Sequence, residues 1–241
     1  MKFFDTHIHL TDFKDVSKNI LIENLKQNGI EKCVCISAHR SDWEKVAEFA
    51  HDFPFEIVPA FGLHPWYADE ATDNWQLELE EYLKEFPESV IGECGFDWLK
   101  SKDLELERQV FEKQIELAFE YQRPLMLHMV KADLLLENYW GRLPQKSIFH
   151  SFSGSIELLK KLLKFSHYIS VNHKFFNKKN AKEILTTVPL EKLLLETDAP
   201  YQSKAEDLLN VLNKIAEIKN EETETLSKKI YLNTMRVFID D

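Results

Sequence analysis

The chain has 241 residues, of which 44% are hydrophobic and 29% charged, with a formal net charge of −11. This length suits one large domain, and we expect residues 1–241 to form it. The negative charge argues against a protein coated in a basic nucleic-acid footprint, although a local basic patch is compatible with it.

Targeting signals are absent from the sequence as given. It shows no charged segment followed by an apolar one, as a signal peptide has, and no apolar run approaches the ~18 residues needed to cross a bilayer. Cys33, Cys35 and Cys94 lack the spacing of a disulfide framework, and we interpret Cys33 and Cys35 as buried core thiols. We therefore expect a cytoplasmic protein with no membrane contact and no obligate protein partner.

Short apolar runs alternate with amphipathic ones along the chain. The predicted strands are 2–7, 31–37, 56–62, 89–93, 124–128, 146–150, 167–171 and 192–196. The predicted helices are 15–28, 41–52, 74–86, 103–121, 132–141, 155–165, 178–187, 205–218 and 222–239. In helix 103–121 one face carries Leu104, Phe111, Ile115, Ala118 and Phe119.

Eight βα units in a chain of this length indicate an α/β fold. We predict a single-domain (β/α)₈ TIM-type barrel, with a doubly wound open sheet as the alternative.

Potential metal ligands follow the predicted strands. In Asp5-Thr6-His7-Ile8-His9, His7 and His9 are two residues apart on a strand, so both rings can point to the same place. Further candidates end or follow other strands: His64, Glu93, His128, His150 and Asp198. Because active sites of barrels lie at the carboxyl ends of the strands, these residues are expected to converge on a metal centre.

Imidazole and carboxylate ligands suit Zn²⁺, Mn²⁺, Co²⁺ or Fe²⁺, and Mg²⁺ less well, so the sequence leaves the metal's identity open. We expect one or two divalent ions. Two ions bridged by a carboxylate would hold both the attacking and the leaving oxygen of a hydrolysis, and a nearby carboxylate would take the proton of the attacking water.

Six motifs in this order resemble those of the TatD-type metal-dependent hydrolases of the amidohydrolase-like superfamily. They lie at Asp5–His9, Gly62–Pro65, Gly92–Asp97, His128, His150–Gly154 and Glu196–Pro200, and the resemblance runs from residue 3 to about 238. It implies a (β/α)₈ barrel and a hydrolase. Members of the family include deoxyribonucleases, some of which remove nucleotides from a 3′ end.

The resemblance also implies roles for individual residues. His7, His9, Glu93 and Asp198 would hold one metal ion, and Glu93, His128 and His150 a second one. Glu93 and Asp198 would be the catalytic carboxylates, with Asp198 as the base for the attacking water. His64 would face the substrate phosphate or the site rather than the metals.

Two departures from the family pattern concern the substrate. Lys131 stands where members commonly carry an Arg shortly after the strand-five His, and it lacks the bidentate fork that fits phosphate. After Tyr201 the chain passes almost directly into a helix, where relatives have a longer loop with Arg and Asn. Both departures weaken the inference of nuclease activity and leave metal-dependent hydrolysis untouched.

The loop 172–180 carries several lysines with aromatic residues between them. Lys174, Lys178 and Lys179 could hold a nucleic-acid backbone while the aromatic rings stack on bases. The alternative is a solvated loop with Phe175 and Phe176 packed beneath it. As substrate-binding residues we predict His64, Lys131, Trp66, Lys174 and Tyr201; Trp98 is a further stacking candidate.

The leading functional hypothesis is a divalent-metal-dependent phosphodiesterase or deoxyribonuclease of the 3′–5′ exonuclease type. Its substrate would be DNA, as a single strand or a 3′ end, or a small phosphoester. The alternative is a small-molecule ester or amide hydrolase, because the same chemistry serves both bonds. A metal-binding scaffold without turnover is disfavoured, because Glu93 and Asp198 are both present.

Overall fold

Eight parallel strands lie side by side in chain order in the computed structural model, which describes residues 1–239. A parallel bridge between Ile8 and Ala199 nearly closes the sheet into a barrel. The strands are β1 (Phe3–Ile8), β2 (Ile30–Ile36), β3 (Ile57–Phe61), β4 (Val90–Asp97), β5 (Leu125–Val130), β6 (Ser147–Phe149), β7 (Tyr168–Val171) and β8 (Leu193–Leu195). The predicted barrel is confirmed, and the open sheet is excluded.

Helices connect successive strands, and a pair of helices follows β8. They are α1 (Lys18–Gln27), α2 (Trp43–Asp52), α3 (Trp75–Glu85), α4 (Leu104–Glu120), α5 (Asp133–Leu136), α6 (Ile156–Lys164), α7 (Ala181–Thr187), α8 (Asp207–Lys219) and α9 (Thr223–Phe238). Short side-chain caps fix several helix starts. Asp103, for example, accepts hydrogen bonds from the N–H groups of Glu105 and Leu106 at the start of α4.

The predicted helix 132–141 is wrong beyond residue 136. The chain leaves the helix there because Tyr139 turns inward, where its ring packs on Phe96 and Phe111 and its hydroxyl donates to Glu112. Gly141 then adopts a left-handed conformation that ends any continuing helix. In α4 the predicted apolar face is also too wide, because Phe119 is 53% exposed.

The barrel interior is filled by apolar side chains, which makes it a packed core rather than a pore. The filling residues come from seven strands and from the last turn of α9: Phe4, Val34, Ile36, Val58, Ala60, Val90, Met126, Ile148, Leu194, Val237 and Phe238. α9 closes the amino-terminal end of the barrel. Polar side chains are buried at the opposite, carboxyl-terminal end of the strands, where active sites of barrels lie.

A second apolar layer lies between the strands and the helices. Cys33, Cys35 and Cys94 are buried in this layer and form no disulfide, which confirms the interpretation of Cys33 and Cys35 as core thiols. Burial raises the pKa of the Cys35 thiol to about 12, so this thiol stays protonated and unreactive at neutral pH.

The buried His167, just before β7, makes the stability of the fold depend on pH. Burial against Phe149 and Phe165 lowers the pKa of His167 to about 4. In the unfolded chain a histidine has a pKa of about 6.5, so it binds its proton at a higher pH than His167 does in the folded protein. Protonation therefore favours the unfolded state, and the free energy of unfolding decreases as the pH falls from about 6.5 towards 4.

Replacing His167 by Leu removes this titration. We expect the free energy of unfolding lost between pH 7 and pH 5 to be about 2 kcal/mol smaller in the variant than in the wild type. Urea unfolding of chelator-treated protein at the two pH values measures the difference. An equal loss in both proteins would contradict the assignment.

Candidate metal centre and active site

Five strands bring the predicted metal ligands to one end of the barrel. His7 lies in β1 and His9 directly follows it, Glu93 lies in β4 and His128 in β5. His150 directly follows β6, and Asp198 lies in the loop after β8. His128 is partly exposed and the others are buried. The sequence placed Glu93 and His128 at strand ends, but β4 and β5 continue to Asp97 and Val130.

The Gly92-Glu93 pair explains how a carboxylate fits inside a strand. Gly92 has φ +143°, and a Cβ atom at this position would lie 2.6 Å from the carbonyl oxygen of Met126 on the neighbouring strand. The pairing between β4 and β5 is irregular between Ile91 and Cys94. Glycine therefore allows a local break in register that turns the Glu93 side chain into the site.

One group of potential ligands joins β1 to the end of β8. The Nε2 atoms of His7 and His9 are 3.2 Å apart, and His9 Nε2 lies 3.7 Å from Asp198 Oδ1. Glu93 Oε2 is 3.3 Å from His7 Nε2 and 3.7 Å from His9 Nε2. One ligand atom from each of His7, His9 and Asp198 lies within 4.8 Å of the others, as a shared metal ion requires.

A second group surrounds the other oxygen of Glu93. Oε1 lies 2.6 Å from both His128 Nδ1 and His150 Nε2, and these two nitrogens are 3.1 Å apart. The Nε2 atom of His64 approaches the same oxygen to 3.6 Å, so the structure places His64 beside this group. Its Nδ1 accepts the Trp66 N–H.

The donor set fits divalent metal ions. Two imidazole nitrogens about 3 Å apart can share a hydrogen bond in one tautomer, and they can equally bind one metal ion about 2.0–2.1 Å from each nitrogen. Each Glu93 oxygen faces one group, so this carboxylate spans both. Burial alone would raise the pKa of Glu93, but the surrounding imidazoles of His150, His64 and His7 outweigh this effect and hold the pKa well below its usual range. The centre is thus built around a negative charge.

Asp5 joins the two strands that carry the first group. Oδ1 accepts the N–H groups of His7 (3.1 Å) and Thr197 (2.9 Å), and Oδ2 accepts the Thr197 hydroxyl at 2.6 Å. The Asp198 N–H in turn donates to the His7 carbonyl oxygen at 2.8 Å. Asp5 opens the first motif but was given no role from the sequence. Its contacts fix the positions of His7 and Asp198.

A hydrogen-bonded network joins the ends of β6, β7 and β8. Glu196 Oε1 accepts the Ser151 N–H at 2.6 Å and an Asn172 amide hydrogen at 3.1 Å. Gln202 donates to Ser151 Oγ at 2.8 Å and also to Asp198 Oδ2. Of these four residues only Gln202 contacts Asp198, and none of them was assigned a function from the sequence, although Ser151 and Glu196 lie within two of the motifs. The network leaves Asp198 Oδ1 to face His9.

The sequence matches the family described as TatD related DNase over residues 4–239. The chain belongs to the TatD-related DNase family. A relative from Bacillus subtilis, the uncharacterized metal-dependent hydrolase YabD, is 30% identical, and the alignment covers 98% of each chain. A protein of Edwardsiella piscicida called 3′-5′ ssDNA/RNA exonuclease TatD is 26% identical over 75% of this chain and 72% of its own.

A solved structure supports the same assignment. The crystal structure of YjjV, a TatD homologue of Escherichia coli K12, superposes with a TM-score of 0.88 at 25% identity, covering 98% of this chain and 97% of that one. The predicted family and the class of metal-dependent hydrolase are therefore confirmed. Within residues 1–239, no helix combines the length and apolar character that a membrane crossing requires.

A cavity of about 260 Å³ opens beside the potential metal ligands of this TatD-family chain. Of the predicted substrate-binding residues, His64, Trp66 and Tyr201 line it, whereas Lys131 and Lys174 do not. The Trp66 indole donates to Asp97 at 2.9 Å, and the Lys100 ammonium lies 3.7 Å from its ring centre. Trp98 is 55% exposed and lies outside the cavity lining.

The loop 172–180 does not present its phenylalanine rings freely for stacking on bases. Phe175 is buried and Phe176 packs against the core, as the alternative interpretation proposed. Lys174 donates to the carbonyl oxygen of Tyr201 at 3.2 Å. Lys178 is half-buried and donates to the Gly154 carbonyl at 3.0 Å, and burial lowers its pKa to about 8. Lys179 is exposed.

Replacing Gln202 by Leu tests whether the network positions Asp198. Leu has a similar size but cannot donate to Asp198 Oδ2, so we expect kcat on a generic phosphodiester and the affinity for metal to fall by about 10–100-fold. Kinetics with bis(4-nitrophenyl) phosphate and calorimetric metal titration measure the two effects. Gln109→Leu, on the exposed face of α4, is the control. Wild-type kcat and metal affinity in the Gln202 variant would contradict this role.

Proposed function

We propose that this protein is a metal-dependent phosphodiesterase that removes nucleotides from an end of single-stranded DNA, of the 3′–5′ exonuclease type. The observation that carries the proposal is the position of Glu93, whose two oxygens face two groups of potential ligands beside a small cavity. Two-ion sites of this kind are typical of phosphodiester hydrolysis. The name of the Edwardsiella relative gives further support.

We assign the ligands as the family resemblance implies. His7, His9, Glu93 and Asp198 would hold one divalent ion, and Glu93, His128 and His150 a second, with Zn²⁺, Mn²⁺ and Mg²⁺ as candidates. When bound, such ions lower the pKa of water and stabilise charge on phosphate oxygens. His64, whose pKa burial lowers to about 3, stays neutral beside Glu93.

Asp198 is proposed as the base that takes the proton of the attacking water. Gln202 occupies Oδ2, while Oδ1 points to the side of His9 and the cavity. A carboxylate fixed in this way loses little freedom when it accepts a proton, because its orientation is already set. Glu196 is a buried neighbour whose pKa burial raises to about 8, and it positions Ser151 rather than reaching the cavity.

One observation favours the alternative, a small ester or amide hydrolase. Among residues 1–239, no lysine or arginine lines the cavity, although phosphate is commonly held by such side chains. Lys131 is exposed and outside the lining, and Lys100, Lys102 and Lys174 only contact the lining residues Trp66 and Tyr201 without lining the cavity themselves. A small uncharged substrate would therefore also fit the cavity.

A comparison of three substrates tests the proposal. The metal-loaded protein is given a single-stranded oligonucleotide, bis(4-nitrophenyl) phosphate and 4-nitrophenyl acetate. We expect the highest kcat/KM with the oligonucleotide, and a decrease in its kcat/KM as salt rises, because phosphate contacts release counterions. Efficient ester hydrolysis together with an intact oligonucleotide would contradict the proposal and favour the alternative.

A further inference from the structure

The cavity beside the metal centre has an aromatic wall on one side. His39 lies against the Tyr67 ring, with 3.5 Å between ring centres, and its Nδ1 is 2.9 Å from Glu70 Oε1. In the same lining the Tyr201 ring meets the edge of His9, with ring centres 5.2 Å apart. All four rings line the same space as the potential ligands. Flat apolar faces beside a hydrolytic site can stack on a nucleobase.

A carboxylate lies in the same wall. Asp12, which is half-buried, accepts the Tyr201 hydroxyl on Oδ2 at 2.8 Å and lines the cavity. This contact holds the carboxylate in place. Its other oxygen can accept a hydrogen bond from a sugar hydroxyl, whereas it repels a phosphate group.

The loops around the barrel mouth have opposite charge on opposite sides. The segments that follow β1, β2 and β3 are residues 9–17, 37–42 and 62–74, and their acidic residues outnumber their basic ones. The basic residues are Lys14 and Arg40, and the acidic residues are Asp12, Asp15, Asp42, Asp69, Glu70 and Asp73. The segments that follow β5, β6 and β7 (residues 131–132, 150–155 and 172–180) contain no acidic residue and carry Lys131, Lys174, Lys178 and Lys179.

The cavity lies on the acidic side, although Lys100 and Lys102 from the loop after β4 contact Trp66 of its lining, and Lys174 contacts Tyr201. Apart from the potential metal ligands, its lining comes from the loops after β1, β2, β3 and β8: Asp12, Ala38, His39, His64, Trp66, Tyr67, Tyr201 and Gln202. In an eight-stranded barrel, β1–β3 lie across the mouth from β5–β7. These charges therefore draw a polyanion at the metal centre towards the lysine side of the mouth and away from Asp12.

We propose that this cavity binds the unphosphorylated terminal nucleoside of a nucleic-acid strand, and that Asp12 rejects strands that continue with a further phosphate. The inference rests on the function proposed above. The base stacks on the wall formed by Tyr67 and Tyr201, the terminal sugar meets Asp12, and the rest of the backbone runs over the lysine side. The volume of 260 Å³ lies just below the usual range for ligand cavities, about 300–1,000 Å³, which suits one nucleoside rather than two.

End-modified oligonucleotides test this inference. Three single strands of one sequence are compared with metal-loaded protein: one with hydroxyls at both ends, one with a 3′-phosphate and one with a 5′-phosphate. We expect the phosphate at the degraded end to slow the first cleavage at least tenfold. In Asp12→Asn, whose amide oxygen can still accept the Tyr201 hydroxyl, we expect this ratio to fall to about threefold or less. Asp15→Asn, at an exposed position in the same loop, keeps the wild-type ratio.

Binding provides a second readout. With Asp198→Asn protein, fluorescence anisotropy gives the affinity for each strand, and the same terminal phosphate is expected to weaken it unless Asp12 is also replaced. Equal cleavage of all three strands by the wild type, or an unchanged ratio in Asp12→Asn, would overturn the role of the cavity while leaving the phosphodiesterase intact. Failure to cleave any strand would instead remove the proposed function, and this inference with it.

Discussion

The Asp198→Asn variant is expected to lose about 10³-fold in kcat on a phosphodiester, within the range for removal of a general base. Asn has the same shape but cannot accept the proton of the attacking water, and it is a weaker metal ligand than a carboxylate. The left-handed backbone at Asp198, with φ +53°, is one that Asn adopts readily, so the fold should be retained. Rates with bis(4-nitrophenyl) phosphate at saturating metal measure the loss.

The control for this experiment is Asp69→Asn, an exposed aspartate in the loop after β3. Circular dichroism and the thermal midpoint establish that both variants are folded. If folded Asp198→Asn protein keeps a rate within threefold of the wild type, Asp198 is not the base.

Glu93→Gln is expected to deplete the metal centre. Glu93 is the carboxylate that reaches both groups of imidazoles, at 2.6 Å from His128 and His150 and 3.3 Å from His7. Gln removes the negative charge and offers one oxygen in place of two. We expect bound metal after dialysis to fall to half of the wild-type content or less, and kcat to fall at least 10²-fold.

Elemental analysis and thermal unfolding with and without added metal measure this effect. Metal that binds only the folded state raises the thermal midpoint of the wild type, and the increase should shrink in the variant. Glu88→Gln, at an exposed position just before β4, is the matched control. Wild-type metal content in Glu93→Gln would show that the ions are held elsewhere.

The barrel could be predicted because buried parallel strands are uniformly apolar. Runs such as Leu125–Leu127 and Leu193–Leu195 have no polar alternation, so length and composition identify them. The helix near 132–141 was predicted too long, because its periodicity does not reveal that Tyr139 packs inward on α4. The local sequence pattern therefore predicts the strands and helices, whereas tertiary contacts of Tyr139 determine where α5 ends.

The candidate site was predictable only in part. The six potential ligands follow apolar runs, and fold geometry brings such positions together. Asp5 and Gln202 could not be assigned roles, since their contacts join β1 or the β6 loop to the end of β8 and arise only when the barrel closes. The sequence left two interpretations of the loop 172–180 open for a related reason: whether Phe175 faces solvent or the core depends on packing, which local sequence does not encode.

The most direct test of the proposed exonuclease activity is digestion of a 5′-labelled single-stranded DNA oligonucleotide by metal-reconstituted protein, beside Asp198→Asn protein. We expect a ladder of labelled products that shortens from the 3′ end with time and is absent in the variant. An intact oligonucleotide with Mg²⁺, Mn²⁺ and Zn²⁺, in protein shown to contain bound metal, would contradict the proposed activity.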